Sequence, residues 1–376
     1  MLKPSCSLIS YMSNLVKTHG GINCAQGIPG FAPPRELLDK LVEVTQRNVH
    51  QYSAGNGYPP LRELISSGIT GSAGLENSNV LITNGATEAI STIYLYLRQM
   101  FKEGMTTLSF DPVYESYSNL PKIYGDRFIS QSSLKDGSFD MEVLEKTVEN
   151  EKVRLVMICT PGNPYGRIWK KDEIDSVHKI CRDNGAFLLV DAVYSDLYFN
   201  DRTYLPFEKI DENLFIVSAF SKMLSITGWR IGYIISTSQH IDKIAKIHDY
   251  TGLSSPSLLQ VAIAEYLNEN DLGADYLKEL RKKLIFSFNA GLEVLENSGF
   301  VTPPVDGGYF IWTEIPERFD NGLDFALELY EKKKVGVVPG IHFSENGGRM
   351  IRISIAKPVD EISQAVEKIN EFVRTF

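Results

Sequence analysis

The chain has 376 residues, of which 43% are hydrophobic, 23% charged and 11% aromatic. These proportions exclude a mainly disordered, collagen-like or low-complexity chain, and the length suits one large domain or two that share a chain. With 38 Lys and Arg against 47 Asp and Glu the net charge is −9, which argues against a nucleic-acid partner, since a phosphate backbone needs a positive face.

The N-terminal run MLKPSCSLISYMSNLVKTHGG has polar residues throughout, so no signal peptide is expected. No apolar run approaches the roughly 20 residues that a membrane helix needs. The opening segment carries no strong element on this reading, and either joins a smaller part or lies across a cleft. From residue 79 to 236, short β-rich runs alternate with helical patterns: NVLIT (79–83), MTTLSF (105–110), VRLVMIC (153–159), AFLLVD (186–191), LFIVSA (214–219) and WRIGYIIS (229–236). They are apolar almost continuously, as strands are when both faces of a largely parallel sheet are buried. ATEAISTIYLYLRQM (86–100) and KKDEIDSVHKICRDNG (170–185) read as helices, the second with a stop glycine. The alternation predicts an α/β sheet with helices on both faces, and ligands in such sheets bind beyond the carboxyl ends of the strands. Helical patterns dominate 238–298. Then come GGYFIWTEI (307–315), VGVVPG (335–340), MIRISIA (350–356) and a last helix over 358–374, which predict a smaller α+β part. The expected division is a large domain over 36–275 and a small domain formed by 276–376 with the N-terminal segment 1–35.

Cys6, Cys24, Cys159 and Cys181 are far apart and form no CxxC pair, so they read as small buried or idle thiols, which suits a reducing cytoplasm. No Cys/His group has zinc spacing, and no metal is expected. His19, His50, His178, His240, His248 and His342 show no metal pairing. His178 and His248 lie in helical patterns and are expected at the surface. His342, before MIRISIA, is either structural or near the substrate.

The strand ends carry the chemistry. Gly85-Ala86-Thr87 sits where a strand becomes a helix, and the free N–H groups there suit an anion. Tyr114, beside Pro112, could stack on a planar ligand. Thr160-Pro161-Gly162-Asn163-Pro164-Tyr165-Gly166 is a rigid loop that offers the Asn163 amide. Asp191 is a carboxylate at the end of an apolar strand, costly to bury without a cationic partner, and Tyr194 follows it. Lys222 lies in a small, apolar stretch where desolvation and the nearby Arg230 lower the pKa of an amine nucleophile. Arg352, between Ile351 and Ile353, suits two-pronged binding of a carboxylate. Singly, each feature has an ordinary structural explanation. Together, in this order at successive strand ends, they do not.

This set resembles the fold-type I pyridoxal-phosphate enzymes, specifically the class I/II aminotransferases, from about Gln26 to the last helix. SK–xxxxx–GWRIG is the most specific motif, followed by D–xx–Y with NP–x–G and by QYSAGNGYPPLRE (51–63). The resemblance implies a ping-pong transaminase with pyridoxal 5′-phosphate. Lys222 is then the Schiff-base lysine and the base at Cα, and Asp191 pairs with the pyridinium nitrogen. Asn163 and Tyr194 reach the ring hydroxyl oxygen, and Tyr114 stacks on the ring. Arg230 and Gly85-Ala86-Thr87, with Ser218 and Ser221 nearby, hold the phosphate. Tyr52 reaches it from a second subunit, which implies a homodimer with shared sites. Arg352 takes the substrate α-carboxylate, and QGIPGFAPP, with Gly27 and Ile28, borders the pocket.

Some positions depart from the common pattern. Ala219 stands where Ser or Thr contacts the phosphate, Thr160 and Tyr165 replace Asn and Thr, and Ser344 replaces a glycine. The same motifs also serve β-lyases and amino-acid cyclases. A DNA-binding regulator with such a sensor domain is disfavoured by the short segment ahead of Gln26 and by the acidic charge. No second arginine for a side-chain carboxylate is evident, so the reading leans to neutral donors, aromatic or methionine-like, with 2-oxoglutarate as acceptor.

Overall fold

The computed structural model describes residues 7–134 and 137–375. Cys6 lies outside them. The central sheet has strands β1 (Val80–Thr83), β2 (Thr106–Asp111), β3 (Arg127–Ser132), β4 (Val153–Cys159), β5 (Phe187–Asp191), β6 (Leu214–Ala219) and β7 (Gly232–Ile235). Their order is β1-β7-β6-β5-β4-β2-β3, and only β7 runs antiparallel to its neighbours. The alternation of side chains along a strand feeds two cores. Leu188 and Val190 point into one hydrophobic cluster, Phe187 and Leu189 into the other. This double burial is why β4, β5 and β6 read as unbroken apolar runs.

Register brings the carboxyl ends together: Cys159 lies beside Asp191, and Asp191 beside Val217. The chain runs outward from β2 to β3, then returns to the other side of β2 with β4. That reversal opens a crevice beyond the carboxyl ends, where α/β sheets bind ligands. β3 went unseen in the sequence because it is an exposed edge strand without a buried run.

A second sheet holds β8 (Phe310–Glu314), β9 (Val338–Pro339) and β10 (Met350–Ser354), in the antiparallel order β9-β10-β8. The helices Ala274–Glu296 and Val359–Arg374 pack together beside it. The opening segment differs from expectation. It forms a helix, Leu8–His19, with Met12 and Val16 buried, and Ile22–Asn23 pairs in parallel with Val335–Gly336. The four-residue spacing of Met12 and Val16, and the stop at Gly20 (φ 76), were the overlooked signals. The Tyr330 hydroxyl ties this helix to the smaller part by donating to the Leu15 carbonyl at 2.7 Å.

His178 and His248 are not surface residues but buried ones. His248 shares the inner face of its helix with Ile241 and Ile244, and His178 meets Asp211 at 3.0 Å. Cys24 and Cys181 are buried and Cys159 half-buried, all with free thiols. Burial pushes the Cys24 thiol up to about 12, so it stays protonated and inert. Among the described residues no group of His, Cys, Asp and Glu is arranged to hold a metal, and no helix is long and apolar enough to cross a membrane.

Candidate active site

A cavity of about 230 Å³ opens at the crevice. One end is a cup for an anion. Gly85 (φ 87, ψ 168) caps the helix Ala86–Met100 in a conformation essentially reserved for glycine, which leaves the first N–H groups of the helix unpaired by it. Arg230, itself at φ 57, closes over this turn. Its Nη1 donates to the Thr227 carbonyl at 2.9 Å and its Nη2 to the Asn84 carbonyl at 3.3 Å. A methyl group on Gly85 would sit 2.4 Å from Arg230 Nη2, so guanidinium and turn fit only because the side chain is missing. Thr87, Ser221 and Thr227 line the same cavity. Ala219 lines it without a hydroxyl. Ser218 is not brought there: strand alternation turns it away, and its Oγ donates to the Ala192 carbonyl at 3.1 Å.

The middle is lined by Tyr114, Cys159, Asn163, Asp191, Val193 and Tyr194. Asp191 is buried. It accepts from the Tyr117 hydroxyl at 2.7 Å and from the Val193 N–H at 3.1 Å. Burial raises its pKa, and these donors and Lys222 offset that only in part. Tyr117 was missed; it lies in the first turn of the helix that Tyr114 caps, and the two rings meet edge to face with centroids 5.6 Å apart.

Lys222 Nζ donates to the Gly27 carbonyl at 2.8 Å, an oxygen that also accepts from the Tyr309 hydroxyl at 2.8 Å. Nζ lies 5.8 Å from the ring centroids of Tyr194 and Tyr309. Burial, then Arg352 and Arg230, lower its pKa to about 8, against the opposing pull of Asp191. An amine so tuned has a neutral fraction near physiological pH far larger than that of an ordinary lysine, and the neutral form is the nucleophile or base.

The other end belongs to Arg352, 1% exposed. Its Nη1 donates to Asn163 Oδ1 at 2.8 Å and its Nη2 to the Ala25 carbonyl, while Nε has no partner. The guanidinium stands 4.2 Å from the Phe310 ring centroid. Burial lowers its pKa to about 10, so it remains charged at neutral pH. It makes no ion pair among the described residues, and a buried cation in that state calls for an anionic ligand. Ile9, Gly27, Glu115 and Phe310 complete this end. Burial opposes ionisation of Glu115, yet His342, whose Nε2 lies 3.1 Å from its Oε2, the nearby Ser7 hydroxyl and Arg352 together outweigh burial and hold its pKa below the usual value. Ile9 and Glu115 were unforeseen. Ile28 is 44% exposed and Tyr52 82% exposed, and neither lines the cavity of its own chain.

The class I and II aminotransferase family matches residues 20–369. A probable aspartate aminotransferase of Methanocaldococcus jannaschii is 27% identical over 98% of this chain and 97% of its own length. The methionine aminotransferase of Escherichia coli is 26% identical over 97% and 95%. Among solved structures, N-succinyldiaminopimelate aminotransferase from Mycobacterium tuberculosis has a TM-score of 0.89 at 25% identity, covering 98% of this chain and 97% of its own. The aspartate aminotransferase of Thermus thermophilus shares the fold, with a TM-score of 0.90 at 19% identity over 98% and 97%.

The chain therefore belongs to the class I and II aminotransferases. It is a fold-type I enzyme that moves amino groups between amino acids and 2-oxo acids with pyridoxal 5′-phosphate. The donor set fits that cofactor: a cup of N–H groups and a guanidinium for a phosphate, a buried carboxylate for a ring N–H, and an amine of lowered pKa for an aldehyde.

Proposed function

We propose that this enzyme takes its amino group from a neutral L-amino acid, aromatic or methionine-like, by a ping-pong mechanism in which Lys222 is the proton carrier. When bound, the cofactor supplies an aldehyde for the amino group and a ring that takes up the electron pair left at Cα. Gly85, Ala86, Thr87, Ser221 and Arg230 hold its phosphate, and Tyr114 stacks on its ring. Asp191, kept in place by Tyr117, pairs with the ring nitrogen, and Asn163 and Tyr194 serve the ring hydroxyl. Arg352 orients the amino acid by its α-carboxylate, so that the Cα hydrogen faces Lys222. Lys222 Nζ removes that proton from the donor and delivers one to Cα of the acceptor in the return half-reaction. Tyr52, exposed on its own chain, completes the phosphate cup of a second copy, which makes the working enzyme a homodimer. The unpaired thiols suit work in the cytoplasm.

The observation that carries this reading is the cavity lining: Lys222 shares it with Asp191, Arg230 and Arg352, and the remaining charged group among the described residues there is Glu115 rather than a second arginine for a side-chain carboxylate. Its test is titration of the cofactor-loaded protein with single amino acids, followed by absorbance, in wild type and Lys222→Ala. Conversion of the cofactor to its amine form by methionine or aromatic donors, and reversal by a 2-oxo acid, is the expected result. Aspartate as best donor overturns the proposed preference. Release of pyruvate and ammonia without the amine form points to a lyase instead.

A further inference from the structure

We infer that Glu115, beside His342, sets the substrate class: donor and acceptor both lack a side-chain carboxylate, and among neutral donors a side chain that ends in an N–H or O–H gains a partner there. This rests on the transaminase reading above and adds the residue that selects.

Glu115 lines the same cavity as Lys222 and Arg352, with Ile9 and Phe310 beside it. Beyond the arginine that meets the α-carboxylate, the charged group at this end is thus itself a carboxylate. Three successive contacts keep it there by docking residues 342–344 onto the chain that leaves β2. The Ser344 hydroxyl donates to Asp111 Oδ2 at 2.7 Å, the Val113 N–H donates to the Phe343 carbonyl at 2.9 Å, and His342 Nε2 lies 3.1 Å from Glu115 Oε2. The Glu115 and His342 side chains are 25% and 8% exposed, so this is not a loose surface pair. Against burial, His342, the Ser7 hydroxyl and Arg352 keep Glu115 ionised at neutral pH. His342 Nε2 faces one carboxylate oxygen and the Ser7 hydroxyl lies near the same group, while Glu115 itself lines the cavity as an acceptor.

A substrate carboxylate placed here would lose water and meet a like charge, whereas an amide, hydroxyl or ammonium group would find a partner. One cavity serves both half-reactions of a ping-pong enzyme, so the restriction falls on the 2-oxo acid as well. A monocarboxylic acceptor thus replaces the 2-oxoglutarate expected from the sequence.

Glutamine and glutamate, like asparagine and aspartate, differ in side-chain charge at nearly equal size. In the wild-type half-reaction the amide of each pair should be favoured at least tenfold in kcat/KM. Calorimetry on cofactor-loaded protein should show glutaramic acid binding more tightly than glutarate by a similar factor. Glu115→Gln should collapse both ratios toward one. His342→Gln should lower them part of the way, acting on KM rather than kcat. Wild type preferring glutamate, aspartate or 2-oxoglutarate overturns the inference, as do unchanged ratios in Glu115→Gln. Selective loss of a 2-oxoglutarate reaction in His342→Gln also overturns it, by making His342 the partner of a substrate carboxylate. If wild type binds with the expected ratio but shows no half-reaction with any amino acid, the transaminase reading fails and the selectivity of Glu115 stands.

Discussion

The two ends of the cavity are built by different means. The phosphate end comes from two short segments: Gly85, Ala86 and Thr87 in one strand-to-helix turn, and Ser221, Thr227 and Arg230 within residues 221–230, which begin in the short helix Phe220–Met223. The substrate end is assembled from segments far apart: Ile9 on the first helix, Gly27, Glu115 after β2, Phe310 on β8 and Arg352 on β10. A site built around the N–H groups of a helix start changes slowly, because its backbone is part of the binding surface. A site collected from five segments can change substrate by altering one side chain.

Lys222 stands between the ends and gives the sharpest test of their coupling. Lys222→Ala removes the proton carrier, and turnover should fall by at least ~10²–10⁴-fold. In wild type, the rate at which cofactor-free protein captures the aldehyde should rise with pH through about 8 and level off above it, as the amine loses its proton. Arg352→Gln removes a cation that lowers this pKa, so the midpoint should move upward. The same change should cost kcat/KM about a hundredfold, since a charge-assisted hydrogen bond contributes ~1.5–3 kcal/mol. An unmoved midpoint would separate the two ends electrostatically.

Gly85→Ala attacks the phosphate end alone. The glycine-only backbone there costs another residue ~1–3 kcal/mol, and the added methyl group displaces Arg230. Cofactor affinity should drop about tenfold or more by fluorescence titration, with the order of preference among donors kept. A changed donor order would mean that the cup also shapes the substrate end.

The same contrast explains what the sequence could reveal. The β4, β5 and β6 runs, the helix at 86–100 and the residues just past each strand were readable because burial on two faces leaves an unbroken apolar signature. Lys222, Asp191, Asn163 and Arg230 stood out as polar groups against it. Ser218 and Ala219 show the limit: neighbours on one strand face opposite ways, and which one meets the cavity depends on register against β5 and β7. The edge strand β3 and the helix Leu8–His19 lacked that signature. Glu115 and His342 lie more than two hundred residues apart in sequence and acquire meaning only when 342–344 docks beside β2. Ser344 was visible as a departure, but its partner was not.

That docking can be loosened without touching the cup. Ser344→Ala removes the hydroxyl that donates to Asp111 Oδ2 and accepts from the Asn346 N–H. Asp111 is half-buried. Burial raises its pKa, while Ser344 and Asn346 pull it back in part, so losing the hydroxyl should raise it further. A carboxylate whose folded-state pKa lies above its unfolded value is a burden on the fold when ionised, and that burden lifts as pH falls through the folded pKa. The variant should therefore lose about 1 kcal/mol at neutral pH by urea denaturation, and the deficit should shrink as Asp111 becomes protonated in the acid range. Because 342–344 carries His342, selectivity between amide and carboxylate side chains should soften slightly as well. A deficit that stays constant from pH 8 down through the whole acid range in which the fold persists would mean that Ser344 acts through packing, and that the substrate end does not depend on the charge at Asp111.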